Sequence, residues 1–204
     1  MSRKGKFYFV TLLTFSRLPL VVAFFISAIY HAWKPGNGLF FFTFSLLILS
    51  ALTDLFDGYF ARKFEVVTKF GAHADPLMDK FFYLATLPLL VFVAMRNEHL
   101  CHGVILVTLT FLFLSRDQWV TFLRSIGSMY NVSGAANWAG KLRTAITFPL
   151  ICVIYYFEAA PDKYQFLHRY FVYAFEVFAL VINMISLTVY TKKYFPYLKK
   201  SAEL

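Results

Sequence analysis

Asp54-Leu55-Phe56-Asp57-Gly58-Tyr59-Phe60-Ala61-Arg62, then Gly71, Asp75 and Asp79 after gaps of eight, three and three residues, set four aspartates at fixed spacing within residues 54–79. The runs on either side are long and apolar, and the whole chain holds only eleven acidic residues. A lone carboxylate at the centre of a bilayer costs roughly 3 kcal/mol, so four gathered beside such runs require a compensating cation. A divalent metal supplies that charge most simply.

The apolar runs identify the solvent. Hydrophobic residues make up 59% of the 204 positions and charged residues 15%, against roughly 25% charged in an average soluble domain, which points to an integral membrane protein. Six segments approach the roughly 20 residues that a helix needs to cross the hydrocarbon: 10–31, 38–60, 76–95, 101–122, 141–158 and 168–190. The expected architecture is therefore all-α, with six transmembrane helices over 10–190, a basic juxtamembrane segment at 1–9 and a basic tail at 191–204. Arg17 interrupts the first apolar run, so that run reads as an uncleaved helix and not as a signal peptide.

Lys and Arg orient the bundle. With the N-terminus in the cytoplasm, fifteen of them fall on the inner side and only Lys34, Arg96, Lys163 and Arg169 outside, Arg17 lying within a span. Both termini and the aspartates then face the cytoplasm. The formal net charge of +9 collects on that face, where it attracts anionic lipid headgroups. Because the basic residues flank spans instead of forming a soluble module, nucleic acid is excluded as a partner. Cys101 and Cys152 have no metal-ligand spacing, and the 26 phenylalanines read as lipid-facing and interhelical packing, with Tyr8 and Trp33 as interfacial anchors.

On a helix, Asp54 and Asp57 are three residues apart, as are Gly58 and Ala61, and Arg62 lies two turns beyond Asp54, so one face carries them all. The stretch from Lys63 to Gly71 reads as a turn. Asp75 and Asp79 follow four residues apart on the first turns of the next helix, where Pro76 is tolerated because early positions need no amide donor. Two helices thus aim four carboxylates at one point, and hard oxygen donors in that number suit Mg²⁺, Mn²⁺ or Ca²⁺. The small Gly58 and Ala61 let a bulky ligand approach the backbone, and Arg62 offers a planar fork of donors to a phosphate.

These residues, position for position, resemble the Asp-x2-Asp-Gly-x2-Ala-Arg-x8-Gly-x3-Asp-x3-Asp signature of the CDP-alcohol phosphotransferases. The resemblance implies six transmembrane helices around a cytoplasm-facing active site, often in a homodimer, and transfer of a phosphatidyl group from a CDP-linked lipid to an alcohol with release of CMP. It implies two Mg²⁺ or Mn²⁺ ions on Asp54, Asp57, Asp75 and Asp79, with Asp79 also the general base. It further implies CDP-lipid contacts from Gly58, Ala61, Arg62 and Thr68. Thr11-Leu12-Leu13-Thr14-Phe15-Ser16-Arg17 is similar to the family's Asn-Leu-Leu-Thr-x-x-Arg run, with Thr11 in place of Asn, which adds Thr14 and Arg17 to those contacts. An arginine two turns into a span needs an anionic partner or an aqueous cleft, and Glu176 in the last helix needs a basic residue or a subunit contact.

A second basic region concerns the acceptor. Arg116 and Arg124 share a helix face, and Lys141 and Arg143 follow at the start of the next span, enough charge at one membrane edge to hold a phosphomonoester. Ser115-Arg116 through Leu123-Arg124, with Gly140-Lys141-Leu142-Arg143-Thr144, is similar to the corresponding part of the bacterial phosphatidylglycerophosphate synthases. That implies CDP-diacylglycerol and sn-glycerol 3-phosphate as substrates, and a bacterial inner membrane as the location. Inositol phosphate, serine, an amino alcohol or phosphatidylglycerol are alternative acceptors within the family. A divalent-cation transporter or a metal-dependent lipid-binding protein is the alternative outside it.

Overall fold

The computed structural model describes residues 3–64, 66, 69–132, 134 and 137–202, and the side chains of these except Arg3, Lys4, Asp54, Leu55, Ala61, Arg62, 69–73 and Asp75. Six helices follow one another: α1 (Arg3–Trp33), α2 (Asn37–Lys63), α3 (Lys69–Arg96), α4 (Leu100–Met129), α5 (Trp138–Ala159) and α6 (Arg169–Ala202), with a single 3₁₀ turn at Asp162–Tyr164 before the last. Each is long and apolar enough to cross a membrane, and the chain is an integral membrane protein. All six lie where the apolar runs predict spans.

Four helices depart from those runs in length: α1 begins at Arg3, so that most of the stretch expected as a juxtamembrane segment is helical, and α4, α6 and α3 differ as follows. α4 continues to Met129 because Val120 and Leu123 go on packing against Tyr190 and Tyr194 of α6. α6 extends through Ala202 on the same contacts, so most of the stretch expected as a tail is helical. At 34 residues α6 is about 50 Å long, well beyond the hydrocarbon thickness. Gly127 permits the close approach of the pair, since a Cβ there would lie 2.3 Å from the Tyr194 ring. α3 begins at Lys69, earlier than expected, which places Pro76 inside the helix and not in its first turn. Pro76 therefore forgoes a bond to the carbonyl four residues earlier.

The helices form two groups that share α3. α1 packs on α2 and α3, while α6 packs on α4 and α5; α3 touches both α4 and α5, and α2 reaches α5. The apolar core runs through both groups from Phe24 and Phe40 to Phe82, Phe113 and Ile154, all fully buried. Phe42 and Phe111 point outward and are more than half exposed, as lipid-facing residues are. Hydroxyls inside the helices are spent locally: Ser50, Thr53 and Thr86 donate to carbonyls three or four residues back.

The end of the bundle away from Asp57 and Asp79 holds a polar cluster. There the ring of His102 lies between two buried glutamates, Nδ1 against Glu158 and Nε2 2.8 Å from Glu176. His99 Nδ1 meets the other Glu158 oxygen at 3.0 Å, and the side-chain amide of Asn97 donates to the Glu158 carbonyl. α3, α4, α5 and α6 are joined at this point, and Glu176 finds its basic partner within the chain.

Removing one member of a buried charged contact leaves the others uncompensated. His102→Ala is expected to lower the unfolding free energy in micelles by about 3 kcal/mol. Equal stability of variant and parent would show that the cluster does not tie the helices together.

Candidate active site

α1 supplies the cation that the carboxylates require. Arg17 is 1% exposed, deep in the α1–α2–α3 group. Its Nη1 donates to Asp79 Oδ1 of α3 at 2.9 Å and its Nη2 to Asp57 Oδ2 of α2 at 3.3 Å. Guanidinium suits this arrangement because its planar fork directs separate donors to separate acceptors and it never loses its charge. Asp57 is buried, whereas the Asp79 side chain keeps 26% of its surface. Asp79 is thus the more accessible of the two.

Asp54 and Asp75 lie in α2 and α3, about one helical turn before Asp57 and Asp79 respectively. Their side chains, with those of Ala61 and Arg62, and Thr68 altogether, lie outside the described residues. Gly58 is half-buried, next to Asp57 in the last turns of α2. Thr14 is buried one turn before Arg17, its hydroxyl donating to the Val10 carbonyl at 3.2 Å.

Among the described residues, no three His, Cys, Asp or Glu side chains form a metal-binding group. The donors that are described do fit a hard divalent cation. Both are carboxylates, they come from different helices, and both already turn to one positive charge.

The basic region is partly as expected. Arg116 and Arg143 are buried together around Asp117: Arg116 Nη1 donates to Asp117 Oδ1 at 3.0 Å, and Arg143 Nη2 to Asp117 Oδ2 at 2.9 Å. α6 completes the cluster. Ser186 Oγ accepts from Arg116 Nη2, and Asn183 Oδ1 accepts from Arg143 Nε at 3.4 Å. The Tyr190 ring lies between two guanidiniums, 5.1 Å from Arg116 and 5.2 Å from Arg124, and its hydroxyl accepts from Arg124 Nη2 at 2.8 Å. Lys141 is exposed and makes no contact with this cluster among the described hydrogen bonds and ion pairs.

Local chemistry sets this geometry. Asn137 caps α5, its side chain accepting from the Gly140 amide at 2.8 Å, and its own amide donates to the Tyr190 hydroxyl. Gly140 must be small here, since a Cβ would fall 2.6 Å from that hydroxyl. Asp117, Asn183, Ser186 and Tyr190 are residues that the sequence reading did not single out. For the last three the signal lies in α6, where Glu176, Asn183, Ser186 and Tyr190 recur at intervals of seven, three and four, a buried polar stripe on one helix face.

Tyr83 connects the two regions. It stands one turn after Asp79 on α3 and is buried, and the Arg143 guanidinium sits 4.7 Å from its ring centre. The arginine cluster therefore reaches α3 at a side chain one helical turn beyond Asp79.

Comparison with known proteins agrees with this arrangement. The family model described as CDP-alcohol phosphatidyltransferase matches residues 8–189. A CDP-diacylglycerol–glycerol-3-phosphate 3-phosphatidyltransferase of Haemophilus influenzae is 32% identical over 143 residues, covering 68% of this chain and 70% of that protein. Proteins of the same name from Wigglesworthia glossinidia brevipalpis and Bacillus subtilis are 42% and 35% identical over 81 and 99 residues. Those matches cover 40% and 48% of this chain, and 42% and 47% of the two relatives, so the chain spans under half of either. Six apolar helices, an aspartate-bearing α2–α3 pair and a family match across nearly the whole length lead to one conclusion: the chain belongs to the CDP-alcohol phosphatidyltransferase family.

Proposed function

We propose that the protein transfers the phosphatidyl group of CDP-diacylglycerol to sn-glycerol 3-phosphate, giving phosphatidylglycerophosphate and CMP. The observation that carries this reading is the contact of a net-cationic arginine cluster, through Arg143, with Tyr83 one helical turn beyond Asp79 on α3. An alcohol bearing a phosphate could anchor its charge among the guanidiniums while its hydroxyl reaches Asp79. The names of the relatives support the same acceptor.

In this reading the acceptor hydroxyl oxygen attacks the phosphorus that bears the diacylglycerol, the bond from that phosphorus to the CMP oxygen breaks, and the hydroxyl proton passes to the Asp79 carboxylate. General-base assistance of this kind contributes typically 10²–10⁴-fold. Asp54, Asp57, Asp75 and Asp79 would hold two Mg²⁺ or Mn²⁺ ions, whose charge would offset that developing on the diphosphate. Arg17 fixes the directions of Asp57 and Asp79 and, with Thr14, Gly58, Ala61, Arg62 and Thr68, faces the CDP-lipid. Arg116, Arg124 and Arg143 hold the acceptor phosphate, joined by Lys141 from the rim. A bacterial inner membrane, with both termini and the site on the cytoplasmic side and two copies of the chain together, completes the proposal.

The deciding assay incubates purified protein with Mg²⁺ or Mn²⁺, labelled CDP-diacylglycerol and a panel of acceptors, and resolves the lipids by thin-layer chromatography. Phosphatidylglycerophosphate and CMP in equal amounts with glycerol 3-phosphate are expected. Turnover only with another alcohol, or cation flux into liposomes without CMP, would refute the assignment. Asp79→Asn should stay folded, with a lowered melting midpoint because Arg17 loses one of its carboxylates, and lose at least about 10²-fold in CMP release. Arg17→Met leaves two carboxylates short of their cation, and a loss of about 3 kcal/mol in stability is expected, part of it recovered by Arg17→Lys.

A further inference from the structure

We propose that Asp117 is a positioning residue that sets the two guanidiniums of the acceptor site. The inference rests on the reading above, in which the arginine cluster receives the acceptor phosphate. Adjacent residues of a helix point about 100° apart, so Arg116 and Asp117 would ordinarily diverge. Here the carboxylate draws Arg116 sideways: one oxygen takes Arg116 Nη1 of its own helix, and the other takes Arg143 Nη2 of α5. One anion thus braces two cations from two helices, each by a single nitrogen.

The remaining contacts fix the planes of those guanidiniums. Arg116 is stacked on Tyr190 and tied to Ser186, and Arg143 is stacked on Tyr83 and tied to Asn183. Among the described residues Asp117 is the only anion in contact with the pair, so one negative charge faces two positive ones. The excess suits a phosphomonoester. Arg116 is 7% exposed, and its Nε is buried with no hydrogen-bond partner among the described residues.

Asp117→Asn separates geometry from charge, because the two predict opposite signs. Charge alone would tighten anion binding when the carboxylate is neutralised. Loss of the brace would instead let two like-charged guanidiniums turn away from each other, so that both no longer meet one phosphate. The inference requires the second.

The experiment is steady-state kinetics of the purified full-length protein in mixed micelles, with melting midpoints taken alongside. For Asp117→Asn, KM for glycerol 3-phosphate should rise about tenfold. Its kcat should stay within about twofold and its KM for CDP-diacylglycerol should not move. Competitive inhibition by inorganic phosphate should weaken in parallel, and Asp117→Glu should recover part of both effects. An unchanged or lower acceptor KM in Asp117→Asn, while Arg143→Lys raises it, overturns the positioning role and leaves the acceptor site standing. No shift in acceptor KM for Arg143→Lys defeats the site and this inference together. A parallel fall of kcat, both affinities and melting midpoint would mean a merely structural role and would also overturn it. Should Asp117→Asn not fold, Asp117→Glu decides: an acceptor KM displaced at constant melting midpoint supports the role, and an unmoved one refutes it.

Discussion

A guanidinium buried between two carboxylates of different helices is the contact on which the rest of this molecule depends. Any one of Arg17, Asp57 or Asp79 would be costly alone in a lipid-embedded bundle. Together they satisfy one another, and the arrangement holds only if α1, α2 and α3 are in one register. The fold of the first half is thereby linked to the proposed chemistry, because the side chains that lock the three helices are those proposed for the reaction. Buried ion pairs of this kind seldom add net stability over apolar packing, but breaking one is expensive. The position therefore specifies an arrangement more than it strengthens it.

The second half repeats the device with the signs reversed. Among the described residues, the first group sets two anions about one cation, and α4, α5 and α6 set two cations about one anion, Asp117. A centre rich in carboxylates suits divalent ions and the diphosphate they accompany, and a centre rich in guanidiniums suits a phosphomonoester. Tyr83 stands between them on α3, the helix that both groups share. In the proposed function a donor lipid and a charged acceptor would be received by these two centres of opposite character, an arrangement that favours reaction between them.

Much of this was legible in the chain itself. Six apolar runs gave six helices, because length and hydropathy are local properties that lipid reads directly. The aspartate spacing placed Asp57 and Asp79 on facing helices, and the cost of a charge two turns into a span predicted an anionic partner for Arg17, which is found. Contacts between helices distant in sequence were not legible. Arg116 meets Ser186 across 70 positions and His102 meets Glu176 across 74, and no periodicity within one helix announces its partner. Glu176 could be marked as costly but not paired, since His102 looks ordinary in its own run. Helix ends were misjudged for a related reason: α4 and α6 outlast the membrane because Gly127 and Tyr194 pack together, a fact that hydropathy does not contain.

The central claim is that the carboxylates of α2 and α3 assemble a centre for divalent cations. Titration of Mn²⁺ into the purified protein, followed by electron paramagnetic resonance of the free ion, tests it without reference to turnover. Saturable uptake by the parent protein, lost when Asp57 and Asp79 are both replaced by asparagine in a variant that keeps its helical content, is the predicted result. Equal uptake by that variant would contradict the account.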